Sequence, residues 1–170
     1  MSETVSKIDD KIRTVFLTCG TQEPFDRLIE IIDRIAVDKS IKFIVQAIHG
    51  KYQPLNFELT EYLEPKEFDK IFSNSDIIIS HAGVGTILKA IEEGKRLIVF
   101  PRKLTLKEHR TNHQEETVRH MPDLGFIKKA DDRESLVMIL NDPNFIIGEV
   151  KPFKPDFSPI TNYIRQFLGE

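Results

Sequence analysis

Short apolar segments that alternate with helical patterns most strongly constrain the fold of this chain. The clearest are TVFLTC (Thr14–Cys19), IKFIVQAI (Ile41–Ile48), DIIIS (Asp76–Ser80) and RLIVF (Arg96–Phe100). Strands that are apolar on both faces, each followed by a helix, are typical of parallel sheets covered by helices. The sequence therefore predicts a doubly wound α/β domain with a Rossmann-like parallel sheet.

The segments between these strands have the spacing of helices. We predict helices over Pro24–Ala36, Pro65–Phe72, Val84–Glu93, Asn112–His120 and Asp132–Leu140. FELTEYL is a weaker strand candidate, and GFIKKA separates the last two predicted helices. In such sheets, ligands bind beyond the carboxyl ends of the strands.

Composition excludes several classes of protein. With 40% hydrophobic and 30% charged residues among 170, the chain is typical of one globular domain. Its net charge of −3 is small, and no Lys/Arg run with interleaved aromatic residues occurs, so we expect no nucleic-acid partner. Cys19 is the single cysteine, which excludes an internal disulfide and favours a reducing compartment.

The ends of the chain give expectations about localisation and domains. The N-terminus is charged, and no apolar run approaches the roughly 18 residues of a membrane-spanning helix. We therefore expect a cytoplasmic protein, at most peripheral to a membrane. We predict a flexible tail over 1–12, a Rossmann-like domain over 13–148, a proline-rich connector over 149–159 and an amphipathic helix over 160–170. That helix would pack either on its own domain or on another chain.

The first unusual strand end is CGTQ. Gly20 ends the strand without a side chain, and Thr21 and Gln22 offer hydrogen-bonding groups before the next helix. Glycine at such a turn is often only turn chemistry. Cys19 is interpreted as a small buried residue rather than a nucleophile, because no partner base is evident.

The second is SHAGVGT, where a strand leads through Gly83 and Gly85 into a helix. The exposed N–H groups and the dipole of a helix N-terminus bind anions, and missing Cβ atoms let a phosphate approach. Tight packing of the helix on the sheet explains the glycines equally well. The dinucleotide fingerprint is absent, because Leu88 stands where its third glycine would be.

The third is PRKLTLKEHRTNHQEE, a polar run that leads from a buried strand to a helix. It is rich in donors and acceptors suited to ribose or sugar hydroxyls, which are carried by His109, Asn112, His113, Gln114 and Glu115. His109 and His113 are four residues apart, but a third metal ligand at suitable spacing is missing. We therefore expect no metal.

Together these segments resemble the donor-binding half of MurG-type glycosyltransferases, family 28, of the GT-B fold. VFLTCGTQ, SDIIISHAGVGTIL, LIVFPR and EHRTNHQEE carry the resemblance, which covers about Thr14 to Leu140. The chain looks most like stand-alone donor subunits of two-component enzymes. These are the small subunit of the lipid-linked N-glycan GlcNAc transferase and, nearer in the PR…EH…NHQ spacing, its exopolysaccharide or capsule counterparts.

The resemblance implies a role for each matching residue. Gly20 and Thr21 match the loop near the donor diphosphate, and the Leu63 backbone matches the position that pairs with the uracil edge. The turn facing the diphosphate is matched by His81, Gly83, Val84, Gly85 and Thr86. Gln114 and Glu115 match the pair that holds the sugar hydroxyls. The further substrate-binding candidates are Gln22, Ala82, Arg102, His109, Asn112 and His113.

Two residues depart from the family pattern. Lys89 stands where many relatives carry an acid for the ribose hydroxyls, and Glu92 and Glu93 lie about one turn later. Glu115 replaces a glutamine, and because its carboxylate would repel a uronic acid, a neutral hexose is the expected sugar.

The function implied is that of the UDP-hexose-binding subunit of an inverting hexosyltransferase, inactive without its partner and needing no cofactor. A membrane-anchored partner would supply the catalytic base and a polyprenyl-linked acceptor, in exopolysaccharide or lipid-linked oligosaccharide synthesis. The alternative is a non-catalytic, regulatory nucleotide-binding module. A sugar-nucleotide epimerase is disfavoured, because it would require a second domain in the same chain.

Overall fold

The computed structural model describes residues 12–110, 113–120, 124–148 and 150. The sequence-based predictions for the tail, for most of the connector and for the C-terminal helix therefore lie outside the described residues, as does Asn112. None of the helices within the described ranges is long and apolar enough to cross a membrane.

Six parallel strands form one sheet in the order β3-β2-β1-β4-β5-β6. The strands are β1 Arg13–Thr18, β2 Ile41–Gln46, β3 Leu59–Thr60, β4 Ile77–Ser80, β5 Arg96–Val99 and β6 Ile127–Lys129. The register places Leu17 beside Ile79 and Ile79 beside Ile98. The predicted doubly wound α/β fold is confirmed.

In the described part of the chain, six helices connect and cover the strands. They are α1 Asp26–Ile35, α2 Pro65–Asn74, α3 Val84–Glu93, α4 His113–His120, α5 Arg133–Leu140 and α6 Pro143–Ile147. A short 3₁₀ helix spans Leu104–Leu106. The sequence predicted α1 to α5 to within two residues at each end, and it predicted neither α6 nor the 3₁₀ turn.

The core lies on both faces of the sheet, as the apolar strands require. Val15 and Leu17 pack on one face in a cluster that also contains Ile32 of α1 and Leu136 of α5. Phe16, between them in β1, faces the other side, where its ring makes edge-to-face contacts with Phe68 and Phe72 of α2. Alternate residues of one strand thus anchor helices on opposite faces.

Three predicted strands extend one or two residues too far at their carboxyl ends. Cys19, Ala47 and Phe100 lie just outside β1, β2 and β5, although their N–H groups still donate to neighbouring strands at 3.0, 3.1 and 2.8 Å. Beyond these bonds the backbone leaves the sheet, because the following residues turn outward to form loops. The loops after β1 and β5 shape the site.

Candidate functional site

A cleft of about 530 Å³ opens at the carboxyl edge of the sheet, beyond β1, β4 and β5. Its walls are Cys19, Gly20, Thr21, Gln22, Glu23, His81, Arg102, His109, Arg110 and Gln114. The chain order of the strands reverses between β1 and β4, which is the position where open α/β sheets bind ligands. The structure thus brings residues from all three unusual strand ends to one cleft.

The imidazole of His81 lies between two glycines. A Cβ atom at Gly20 would lie 3.2 Å from Cε1 of His81, and one at Gly83 would lie 2.9 Å from Nε2. Gly20 also has a φ of +75°, a conformation that favours glycine. Both glycines therefore make room for the ring, which is a packing role other than the helix-sheet contact considered from the sequence.

Gly85 is different, because a Cβ atom there would meet nothing within 4 Å. The residue is the second of α3, and its neighbour Val84 is 56% exposed. Packing within the described residues therefore does not require a glycine at position 85. The missing Cβ atom leaves the backbone accessible at this position.

The N-terminus of α3 is open to a ligand. Its N-cap is Gly83, and no side chain from the described residues caps the helix. The first N–H groups of a helix have no partner within the helix and carry partial positive charge. The strand–glycine–helix turn thus presents backbone donors, which is the arrangement that binds phosphate groups.

His81 is held neutral by its surroundings. Burial, followed by the positive charge of Arg102, lowers the pKa of His81 to about 4, although a hydrogen bond to the Thr18 backbone opposes the shift. At pH 7 the ring therefore carries no charge. Any attraction of an anion to this turn comes from backbone donors and nearby cations, not from an imidazolium.

Arg102 is buried, with 3% of its surface exposed. Its guanidinium donates to the carbonyls of Pro24 at 2.6 Å, Glu23 at 2.8 Å and Cys19 at 3.2 Å. The group also lies 4.4 Å from the centre of the Phe25 ring. The guanidinium thus donates mainly to the segment after β1, with a longer bond of 3.4 Å to the Glu108 carbonyl, and its predicted contact with a ligand stays a prediction.

Gln114 lies in the first turn of α4 and is buried at the cleft wall. Its Oε1 accepts from the backbone N–H of Arg102 at 3.0 Å. That bond orients the amide, whose NH₂ group has no hydrogen-bond partner among the described residues. His109 is half-buried in the same wall, and its Nδ1 accepts from the Arg110 N–H at 2.8 Å.

The neighbours of Gln114 on α4 are placed less favourably. His113 is exposed, with its Nδ1 3.6 Å from Oε2 of Glu116. Glu115 is half-buried and does not belong to the cleft wall. Among the residues that the structure describes, no group of three or more His, Cys, Asp or Glu could hold a metal ion.

Leu63 and residues 82–86, all predicted to bind the donor, do not belong to the wall of this cleft, and Lys89 also lies outside it. Leu63 follows β3, and its side chain packs against the core cluster on the Phe16 face of the sheet. Lys89 points to α2, with its Nζ 2.9 Å from Asp69 and 2.7 Å from Glu93. Glu93 also accepts from the Ser73 hydroxyl at 2.8 Å, so its carboxylate is bonded both to Lys89 and to α2.

Sequence reasoning missed two residues of the cleft wall, Glu23 and Arg110. Glu23 directly follows CGTQ, and Arg110 lies within the third polar run, so both were one or two residues from a named candidate. The missed Glu108 pairs with Arg27 at 2.6 Å and accepts from the Lys103 N–H at 2.8 Å. These bonds fix the loop between β5 and α4.

Comparisons with known proteins agree with this geometry. The glycosyltransferase family 28 C-terminal domain matches residues 14–142. Over 128 residues, the chain is 27% identical to UDP-N-acetylglucosamine--N-acetylmuramyl-(pentapeptide) pyrophosphoryl-undecaprenol N-acetylglucosamine transferase of Sulfurihydrogenibium sp. (strain YO3AOP1). That match covers 74% of this chain and 35% of the relative, so the chain corresponds to about a third of that enzyme.

A relative of similar size is the UDP-N-acetylglucosamine transferase subunit ALG13 of Yarrowia lipolytica. It is 28% identical over 156 residues, which cover 76% of this chain and 77% of that protein. Among solved structures, MurG of Acinetobacter baumannii has a TM-score of 0.59 at 15% identity, covering 93% of this chain and 53% of that one. The fold is thus that of one half of a GT-B glycosyltransferase, and the chain belongs to glycosyltransferase family 28, with its match in the C-terminal domain.

Proposed function

We propose that the chain is the UDP-sugar-binding subunit of a two-component inverting hexosyltransferase. The observation that carries the proposal is the open N-terminus of α3, where a Cβ atom at Gly85 would meet nothing within 4 Å, so that packing does not require a glycine. A diphosphate placed there would accept hydrogen bonds from backbone N–H groups. The family match over residues 14–142 supports a transferase function.

The same turn has a catalytic consequence. Negative charge develops on the departing UDP as the glycosidic bond breaks. Backbone donors and a helix dipole that are fixed before the reaction stabilise that charge more strongly in the transition state than in the ground state. The neutral His81 ring contributes shape and a hydrogen bond to the Thr18 backbone rather than charge.

The sugar would lie toward α4. The Gln114 NH₂ group and the exposed part of His109 are donors and acceptors for its hydroxyls. With Glu115 nearby in the sequence, a neutral hexose is the proposed sugar. Gly20, Thr21 and Gln22 line the opposite wall and are proposed to face the diphosphate.

A partner would complete the enzyme. We place the catalytic base and the polyprenyl-linked acceptor on a membrane-anchored partner, with this chain peripheral at the cytoplasmic face. Two relatives support this arrangement by their names, one a transferase subunit and the other a transferase acting on an undecaprenol-linked substrate. Exopolysaccharide or lipid-linked oligosaccharide synthesis is the proposed pathway class.

Isothermal titration with UDP, UDP-glucose, UDP-galactose and UDP-GlcNAc tests the donor site. We expect saturable binding of UDP and of one neutral UDP-hexose, and Gly85→Val should abolish both. Absence of UDP binding at millimolar concentration would refute the proposal.

Transfer is tested separately with radiolabelled UDP-hexose and membranes of the source cell. Adding the chain should produce labelled, lipid-extractable sugar, and Gly85→Val should produce none. Binding without any such product would favour the alternative, a regulatory nucleotide-binding module.

A further inference from the structure

Arg102 contacts three separate segments of the cleft. Its guanidinium donates to the carbonyls of Cys19, Glu23 and Pro24, which all belong to the segment after β1. It also donates to the Glu108 carbonyl at 3.4 Å, in the loop after β5. Its backbone N–H donates to the Gln114 side chain in α4.

The segment from Gly20 to Pro24 contains no regular secondary structure. Cys19 closes the β1 ladder by donating to Gln46 at 3.0 Å. Among the described residues, the hydrogen bonds to the backbone of the following five residues come from Arg102. Without this side chain, the exposed ion pair between Glu23 and Arg110, with its Nε and Oε1 3.8 Å apart, would be the remaining polar contact between the two ends of this segment and the rest of the described residues.

The chemistry of arginine suits this task. A guanidinium has five donors in a fixed plane and stacks on aromatic rings, whereas an ammonium has three donors and no plane. Here the plane lies over the Phe25 ring at 4.4 Å while its edge donates to carbonyls. Lysine would keep the charge but could not reach all of these acceptors.

We propose that Arg102 is a positioning residue. It fixes the segment from Cys19 to Pro24, which forms one wall of the cleft, relative to Gln114 in the other wall. This differs from the direct ligand contact that its position in the sequence predicted. The inference depends on the proposed function only where it concerns UDP-sugars, because the coupling of the two walls is a property of the free protein.

Hydrogen exchange on the free, full-length chain provides the test. Arg102→Met should increase exchange about tenfold in peptides that cover 19–29, which contain the hydrogen-bonded amides of Cys19, Leu28 and Ile29, and Arg102→Lys should have an intermediate effect. Arg96→Lys is the matched control. Arg96 lies at the start of β5, away from the cleft, and its guanidinium also donates to backbone carbonyls, those of Phe145 at 2.6 Å and of Gly148. The Arg96→Lys variant should leave those peptides unchanged.

A second readout reports the charge of Arg102. This cation contributes to the low pKa of His81. The pKa of His81 measured by NMR should therefore rise above about 4 in Arg102→Met and stay near 4 in Arg102→Lys. The value should remain below 6.5, since burial persists. If Arg102→Met does not fold, the Lys variant still decides the outcome through its exchange pattern.

Ligand titration then separates positioning from contact. If the wild-type chain binds UDP, Arg102→Met should weaken binding at least tenfold along with the faster exchange. Unchanged exchange in both variants would overturn the proposal, and weaker UDP binding with unchanged exchange would assign Arg102 to the ligand instead. If the wild-type chain does not bind UDP, the proposed function fails while the exchange experiment still tests Arg102.

Discussion

Replacing Gly85 with alanine should stabilise the protein and weaken its binding of UDP. The residue is the second of α3, and a Cβ atom there would have no neighbour within 4 Å. Glycine in a helix is about 0.5 to 1 kcal/mol less favourable than alanine. Gly85→Ala should therefore raise the free energy of unfolding by about that amount, which raises Tm by roughly 1 to 4 °C for a chain of this size.

The same methyl group should obstruct the ligand. If a diphosphate contacts the N–H groups of the first turn, a Cβ at this position occupies space that the phosphate oxygens need. We expect the dissociation constant for UDP to rise at least tenfold, which corresponds to about 1.4 kcal/mol. The opposite signs of the two effects distinguish loss of a binding surface from loss of structure.

Gly94→Ala is the matched control at the other end of α3. Gly94 has a φ of +62°, so alanine there should lower the free energy of unfolding by about 1 kcal/mol through backbone strain. Its affinity for UDP should not change. Thermal and urea unfolding give the stabilities, and isothermal titration gives the affinities. Wild-type affinity in Gly85→Ala would contradict the placement of the diphosphate.

Three further predictions concern other groups of the site. As pH falls from 6.5 to 4, the free energy of unfolding of the wild-type chain should decrease by about 3 kcal/mol. The cause is His81, which binds a proton in the unfolded state at a higher pH than in the folded state. Urea unfolding measured at several pH values should show a smaller decrease in His81→Gln. Burial raises the pKa of Cys19 to about 12, so a thiol reagent at pH 8 should react only after unfolding, and rapid labelling of the native chain would contradict this. Since Glu93 is bonded to Lys89 and Ser73, UDP and 2′-deoxy-UDP should differ less than tenfold in affinity, and a larger difference by titration would show another ribose contact.

The sheet could be predicted from the sequence because its strands are apolar on both faces, a pattern that few other folds require. The bounds of α3 were also correct, since Gly83 and Gly94 mark its two ends. The 3₁₀ turn at Leu104–Leu106 is too short for any periodicity to appear. The sequence analysis missed helix α6, although the chain carries a start signal for it. Pro143 occupies the first turn, and the Asp142 side chain caps the helix by accepting from the Asn144 N–H.

The sequence predicted that three strand ends meet at one cleft, but Leu63, residues 82–86, His113 and Glu115 do not line it. Three strand ends at one sheet edge follow from parallel topology alone, so the cleft could be expected. The sequence did not indicate that Gly20 and Gly83 both make room for the His81 ring, because this contact joins residues of two different loops. The orientation of the Lys89 side chain depends on an ion pair with Asp69 in another helix, and the sequence around Lys89 does not indicate such a pair.

The adjacency of β1 and β4 links ligand binding to folding as a whole. These strands pair directly, although about sixty residues of chain separate Leu17 from its neighbour Ile79. A cleft that exists only after such distant segments have met cannot be retained by a fragment or by a partly unfolded form. Any ligand of this cleft is therefore linked to global unfolding, and at a concentration one hundred times its Kd it should add about 2.7 kcal/mol to stability. A thermal-shift screen of sugar nucleotides can use this linkage to find the donor before any partner or acceptor is known.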